Sequence, residues 1–387
     1  MRLQSKLYQG KHHSSQYLCG LIADSLPDGW GMLLMDRFFR KELSVSVNDM
    51  NVLHRLAYIG DRAMGALGFR PIHHSTTDDA ELSLSQIAQA NEKILSGQDS
   101  EILAELIVVG GSPQGARPKA LVMFDVDTQT ISTDLKQAYQ HDTTSATPWL
   151  IKFPAQHEDK SVCLLEALYA DMATQAGLVI PKHHYFNIDS NHAAFGVERF
   201  DRVSNGMSAQ SQSNPTFERV HIHTLAGLLD LDFRLPSLDY LSYLRCVRMM
   251  TQSQAQVEQA YRHVVFNVVM NNKDDHSKNF SFIMDKDGKW SLAPVYDVTY
   301  NTGINGYHQM DVCGEAQNPT LSNLLNLAKL ADIKTSHAKA IVEQVVITAE
   351  HLLAIINDYP IHKALIADVQ RDINANVSRM VNTSLRR

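Results

Sequence analysis

Residues 271–297, "NNKDDHSKNFSFIMDKDGKWSLAPVYD", follow an apolar segment in which Val264, Val265, Val268 and Val269 predict a buried helix. Asn272 to Asn279 then form the loop at that helix's C-terminal end. The helix dipole disfavours carboxylates there, so Asp274 and Asp275 point to a use other than capping. A calcium loop is one candidate, because "DKDG" resembles part of an EF-hand. That motif needs glycine at its sixth position and glutamate at its twelfth; counted from Asp285, Gly288 stands fourth and Tyr296 twelfth. "DKDG" is instead the turn of a hairpin joining "FSFIM" to "WSLAPV".

The hairpin sets an order: helix, Asp274, Asn279 five residues on, strand, turn, strand, Asp297. Phosphoryl transfer from ATP needs a carboxylate near the acceptor hydroxyl and side-chain oxygens that hold Mg²⁺ against the phosphates. The Asp-to-Asn offset is that of the kinase catalytic loop HRDxxxxN. Asp297 takes the place of the metal-binding aspartate beyond the hairpin, and Asn279 with Asp297 supplies the oxygen ligands a hard cation prefers. An isolated Asp…Asn pair is commonly a turn former. The ordered set, with Lys278 between and a second aspartate after a hairpin, carries the inference.

The upstream sequence is an independent check. A kinase needs a glycine-rich backbone loop near the phosphates and a strand lysine that contacts them, usually oriented by a helix glutamate. Gly110, Gly111 and Gly115 with Lys119 meet the first need, Lys152 in "WLIKF" the second, and Glu166 in the following helix the third. Lys152 alone would read as a snorkelling edge-strand lysine; together with Asp274, Asn279 and Asp297 it reads as functional. "GGSPQGARPKA" is not a Walker A loop, since no GK[ST] closes it, which disfavours a P-loop NTPase.

The rest of the chain organises around these pieces. "LPDGWGMLLMDRFFRKEL" (26–43) places a Pro-Asp-Gly turn before an amphipathic helix carrying Leu33, Leu34, Phe38 and Phe39, and "GDRAMGALGFRP" (60–71) reads as a loop feeding a short strand. Two helices broken near Gly97 precede the strand Ala120 to Phe124, a polar loop and the strand "PWLIKFPA". A helix ending at Gly177 and paired strands "HHYFNI" and "AAFGVERFDR" follow. Residues 203–218, rich in Ser, Gln and Asn, read as a flexible insertion, and beyond them the pattern is mainly helical. The expected divisions are an N-terminal subdomain at 1–75, a nucleotide-binding lobe at 76–202, the insertion at 203–218 and a helical lobe at 219–387. The fold class is α+β, a bilobed kinase-like arrangement with a mixed N-terminal lobe.

Composition excludes several classes. With 35 basic and 42 acidic residues the net charge is −7, so no global positive field holds nucleic acid. The four cysteines, Cys19, Cys163, Cys246 and Cys313, form no CxxC pair, which favours a reducing cytoplasm. The N-terminus lacks the apolar core of a signal peptide, and we find no run of about eighteen apolar residues to span a bilayer. The expected location is cytoplasmic, with no membrane partner. Eighteen histidines show neither HExxH nor a Cys/His quartet, so they read as solvated or core-edge residues.

The pieces "SPQGARPK" (112–119), "WLIKFP" (149–154), "ERFDR" (198–202), "DDHSKNFSF" (274–282) and "YDVTY" (296–300) resemble, in order, the HipA-type serine/threonine kinases, toxins of bacterial toxin–antitoxin pairs. The resemblance implies Asp274 as catalytic base, Asn279 and Asp297 as Mg²⁺ ligands, and Lys152 as the phosphate-contacting lysine. It implies a phosphate-facing loop formed by Gln114, Gly115, Ala116, Arg117, Pro118 and Lys119. Glu198 and Phe200 would grip adenine, and His276, Lys278 and Tyr296 would border the nucleotide. Ser112 falls on the serine that family members autophosphorylate, which removes the loop from its ATP-competent position. A phosphoserine brings close to two negative charges, which would repel ATP unless cations such as Arg117 compensate. The family usually begins with an additional small β-rich segment, so the N-terminal subdomain is expected to be shortened.

The implied activity is autophosphorylation and phosphorylation of a translation-linked protein such as an aminoacyl-tRNA synthetase. The implied partner is a HipB-like DNA-binding antitoxin, through which alone DNA would be contacted. Two alternatives stay open: a small-molecule or lipid kinase, since "DDHSKN" also resembles the DxHxxN loop of phosphoinositide kinases, and a non-catalytic kinase-fold protein that docks to such an antitoxin.

Overall fold

The computed structural model describes residues 18–42, 44–46, 49–71, 81–98, 100–111, 114–133, 146–204 and 217–381. The chain forms two compact units, one of Met1–Lys160 with His184–Asp232, the other of Ser161–His183 with Phe233–Arg387. Ser112 and residues 205–216 of the polar insertion lie outside the described residues.

The first unit is built on a sheet of β1 (Lys119–Asp125), β2 (Thr130–Ser132), β3 (Thr147–Lys152), β4 (His183–Asn187) and β5 (Ala193–Glu198) in the order β2-β1-β3-β5-β4. Its β1–β2, β1–β3 and β3–β5 pairs are antiparallel. β1 is buried along its whole length, as its unbroken apolar run requires, and the helix Leu103–Gly110 covers it. Phe124 meets Trp149 and Phe186 edge-on at centroid distances of 5.1 and 4.9 Å. The expected amphipathic helix runs Gly29–Glu42 and buries Trp30, Leu34 and Phe38. The break near Gly97 is real: that residue has φ +84°, between helices Leu84–Leu95 and Leu103–Gly110.

"GDRAMGALGFRP" forms a loop through Pro71, as expected, and the strand it was expected to feed lies outside the described residues. Side chains hold the loop's backbone. Arg202 donates to the carbonyls of Gly65 (3.0 Å) and Ala63 (3.1 Å), and Arg219 donates to Leu67 O at 2.7 Å. Asp201 is the centre of this cluster. Its carboxylate accepts from Arg199 Nε and Nη2 (2.8 and 2.7 Å), from Arg202 Nη1 (2.7 Å) and from the Gly65 N–H (2.7 Å). Arg202–Ser204 pairs antiparallel with Phe217–Arg219, so the described ends of the insertion close as a two-stranded ribbon.

In the second unit the expected buried helix spans Gln254–Val269 and packs against helices Tyr240–Thr251, Thr335–Ile355 and Lys363–Met380. The segment Thr335–Asp358 is long and apolar enough to cross a membrane by length and composition, which corrects the reading that no such run exists. Its buried positions Ala338, Ile341, Val342, Val345, Ala349 and Leu352 recur at helical spacing and face the helices of this unit, the pattern of a core helix. "DKDG" turns as expected, with Gly288 at φ +79° and strands Ser281–Met284 and Trp290–Leu292 antiparallel.

Burial opposes ionisation of Asp201, but the Arg199 and Arg202 charges outweigh it and hold the carboxyl at about 2. A depressed acid stabilises the fold above its unfolded-state value near 3.8 and loses that contribution as pH falls through about 2. Asp201→Asn should therefore lower stability by roughly 3 kcal/mol at neutral pH, because two buried guanidinium groups lose their counter-charge. Urea unfolding should show the gap to the wild type constant above about pH 4 and closing as the pH approaches 2.

Candidate active site

The helix Gln254–Val269 ends in a backbone reversal. Asn271 adopts φ +55°, and the chain is tied down by Lys273 N–H to Asn301 O (3.2 Å) and Asn301 N–H to Asn271 O (3.0 Å). Lys273 turns inward and donates Nζ to the carbonyls of Gly306 (2.7 Å) and Gln317 (3.3 Å); burial lowers its pKa. The two adjacent aspartates that follow have opposite environments. Asp275 has 0% of its side chain exposed, whereas Asp274 has 51%.

Asp275 is a structural anchor. It accepts from the Tyr240 hydroxyl, from His308 Nδ1 at 2.7 Å and from the Gln309 N–H at 2.7 Å. Burial, then the neighbouring Asp275 charge, push the Tyr240 pKa up and keep that hydroxyl a donor. Behind it, Asn267 Nδ2 donates to Tyr240 Oη at 3.3 Å, and Asn272 Nδ2 donates to Asn267 Oδ1 at 2.9 Å. His263 is held down to about 4 by burial and stacks on Phe280 at 4.8 Å, so it is a neutral core residue.

With Asp275 fixed, Asp274 faces out and its backbone is fastened from below. Asn279 Nδ2 donates to Asp274 O at 2.7 Å, closing the five-residue loop on itself. The amide nitrogen being committed, Asn279 offers its carbonyl oxygen, the atom a hard cation would use. His276 caps the short turn Ser277–Asn279, accepting from Lys278 N–H through Nδ1 at 3.3 Å. A neutral imidazole then carries its proton on Nε2, which lies 3.7 Å from Asp274 Oδ1.

The hairpin returns the chain to this loop. Tyr296 Oη donates to Lys278 O at 2.6 Å and stands 2.5 Å from Ser281 Oγ. Asn279 and Asp297 are therefore each one residue from the same hydrogen bond, and Asp297 is turned by a backbone φ of +55°. Among the described residues no group of three or more His, Cys, Asp and Glu could hold a metal. A pair of oxygen donors fits Mg²⁺, which is commonly bound by one or two carboxylates with substrate phosphates rather than by an all-protein cage.

In the first unit, Lys119 and Lys152 stand directly opposite one another on β1 and β3, and both are buried, with exposures of 7% and 5%. Like charges in that register disfavour a sheet unless other groups compensate them. Lys152 Nζ also lies 5.6 Å from the centre of the Phe195 ring. The glycine-rich loop leads into Lys119, with Gly115 at φ +103°. Arg117 pairs with Glu158 at 2.7 Å, and Pro118 O accepts from Phe153 N–H at 2.9 Å. Ala116 is exposed, and Gln114 Nε2 donates to backbone carbonyls. Glu198 ends β5 opposite Trp149, and Phe200 follows half-buried. Glu166 is buried in the helix Ser161–Gln175 of the second unit.

Sequence reasoning missed Phe233, whose ring lies 5.2 Å from His276 and 4.4 Å from Lys278 Nζ, and so orders both. Nothing in its neighbourhood of the sequence marks it. It chose Asp274 by its offset from Asn279 but could not read the burial of Asp275, which lies in contacts to Tyr240 and His308, both more than thirty residues away in sequence.

Comparison with known proteins identifies the family. The family model for the HipA-like C-terminal domain matches residues 111–353, and that for the HipA N-terminal domain matches residues 1–70. A provisionally named kinase of Haemophilus influenzae is 28% identical over 156 residues, which are 38% of this chain and 40% of that protein. The provisionally named kinase Y4dM of Sinorhizobium fredii is 25% identical over 163 residues, 39% of this chain and 36% of that protein. The matches thus span about two fifths of these relatives. A chain from the Shewanella oneidensis MR-1 toxin–antitoxin complex of HipA, HipB and operator DNA superposes with a TM-score of 0.67 at 16% identity, covering 94% of this chain and 85% of that one. At that identity the likeness shows a shared fold.

The two aspartates should separate experimentally. Asp275→Ala, which strands the Tyr240 hydroxyl and His308 without their acceptor, should cost roughly 3 kcal/mol in urea unfolding. Asp274→Asn should stay within about 0.5 kcal/mol of the wild type, as a half-exposed substitution does.

Proposed function

The chain belongs to the HipA-like family, and from that premise we propose that it is an ATP- and Mg²⁺-dependent serine/threonine kinase that modifies itself at Ser112 and acts on a protein of the translation apparatus. The observation that carries the proposal is the split between Asp274 and Asp275: one carboxylate is exposed for chemistry while its buried neighbour fixes the loop.

Asp274 orients the acceptor hydroxyl and takes its proton as the oxygen attacks the terminal phosphorus, with the bond to the leaving diphosphate breaking in line. Asn279 and Asp297 hold Mg²⁺, which neutralises charge on the phosphates when bound. Lys152, with Lys119 beside it, offsets the charge of the nucleotide, and the loop Gln114–Lys119 presents backbone N–H groups to it. Glu198 and Phe200 meet the base, while His276, Lys278 and Tyr296 border the nucleotide. The partner is an antitoxin of the HipB kind, a reading supported by the HipA–HipB–DNA complex that shares this fold. The protein substrate fits an aminoacyl-tRNA synthetase on the family resemblance alone.

Incubation of the full chain with labelled ATP and Mg²⁺, followed by mapping of phosphosites, tests the activity. Wild type should label Ser112, and Asp274→Asn should lower transfer by on the order of a hundredfold or more while remaining folded. Undiminished transfer by Asp274→Asn would overturn the assignment of the base, and phosphate found on a metabolite but never on protein would favour a small-molecule kinase.

A further inference from the structure

The turn Asp24–Trp30 grips the glycine-rich loop at several points within the first unit. Gln114 Nε2 donates to the carbonyls of Asp24 (2.7 Å) and Leu26 (3.0 Å). The Gly115 N–H donates to Asp28 Oδ1, and the Gly115 carbonyl accepts from the Trp30 N–H at 3.0 Å. Gly29 lies so close that a Cβ there would stand 2.6 Å from Gly115 O and 2.8 Å from Ala116 Cα, and its φ of +44° also favours glycine.

The turn is itself held. Asp24 accepts from His223 Nδ1 (2.7 Å), Thr224 N–H (2.8 Å) and Thr224 Oγ1 (2.7 Å), and Trp30 is buried at the head of its helix. A rigid element therefore fixes a segment that would otherwise rotate freely. Gly115 has no Cβ and a positive φ, so its peptide plane is set by its bonds rather than by sterics. The same glycine packs against the Lys119 side chain, and Lys119 Nζ lies 3.5 Å from Arg117 O, so the plane at Gly115 also governs where the buried lysine sits.

We propose that Asp28 is a positioning residue for the nucleotide. From the N-terminal segment its carboxylate fixes Gly115, so that the loop from Ala116 to Lys119 is already ordered when the phosphates arrive and binding does not carry the entropic cost of ordering it. This inference rests on the kinase reading above.

The test uses the full chain and Mg²⁺ with a non-hydrolysable ATP analogue in calorimetry, together with KM and kcat for ATP in phosphate transfer. Asp28→Ala should weaken analogue binding and raise KM by on the order of tenfold, the scale of a lost hydrogen bond to a charged group, with kcat changed far less. Asp28→Asn keeps an acceptor oxygen and should recover most of the loss. If Asp28→Ala does not fold, Gln114→Ala, which removes the two carbonyl contacts, should raise KM in the same direction. Unchanged affinity in a folded Asp28→Ala would overturn the positioning role. So would tighter binding, since the carboxylate would then be competing with phosphate for the Gly115 N–H. A wild type that binds the analogue while Asp28→Ala binds it equally well sinks only this inference, whereas a wild type that binds none sinks the kinase reading with it.

Discussion

Burying an ionised carboxylate costs several kcal/mol unless its lone pairs are met, and Asp275, with 0% of its side chain exposed, meets that cost through a hydroxyl, an imidazole and a backbone amide. The three donors come from separate parts of the second unit: Tyr240 opens a helix, and His308 and Gln309 lie beyond the hairpin. Satisfying one acid therefore determines where three segments meet. Because Asp274 is covalently next to it, the half-exposed acid is held in place through its neighbour's contacts.

The first unit uses charge in two opposed ways. Around Asp201, Arg199 and Arg202 share one carboxylate, and Arg202 with Arg219 pins the backbone of the loop at Ala63–Leu67, so the charges act as structural ties. At Lys119 and Lys152 two buried cations face each other across a strand pair. Replacing both with apolar residues of similar size would suit the sheet better. A fold that keeps such a pair at the end of two strands, immediately after a glycine-rich turn, concentrates positive potential where a phosphate chain would be received. The first arrangement ties a loop into the fold; the second sets two cations side by side at the end of one strand pair.

Much of this was legible in the chain. The helix preceding Asn271, the turn at Gly288 and the strands carrying Lys119 and Lys152 follow from apolar periodicity and glycine placement, which act over a few residues. Order and spacing singled out Asp274, Asn279 and Asp297 as a candidate set. What could not be read was environment: which of two adjacent aspartates is buried, that Arg117 is paired with Glu158, that "ERFDR" spends Arg199, Asp201 and Arg202 on a structural cluster, or that Phe233 lies against Lys278. The loop at 60–71 was legible, but not the guanidinium groups of Arg202 and Arg219, distant in sequence, that hold its carbonyls. Long-range hydrogen bonds carry no local signature.

Backbone strain falls at the same places. Asn271 at φ +55° and Asp297 at φ +55° are non-glycine residues in the left-handed region, a conformation costing of order 1 kcal/mol or more that persists only where surroundings impose it. Asn271 is held by Asn301, and Asp297 follows Tyr296, whose hydroxyl is locked against Lys278 and Ser281. An extended backbone at Asp297 would send its carboxylate off to a different side of the chain from that set by the left-handed turn. The strain at Asp297 and the buried anchor at Asp275 thus act alike by different means: each fixes the backbone that carries an acid.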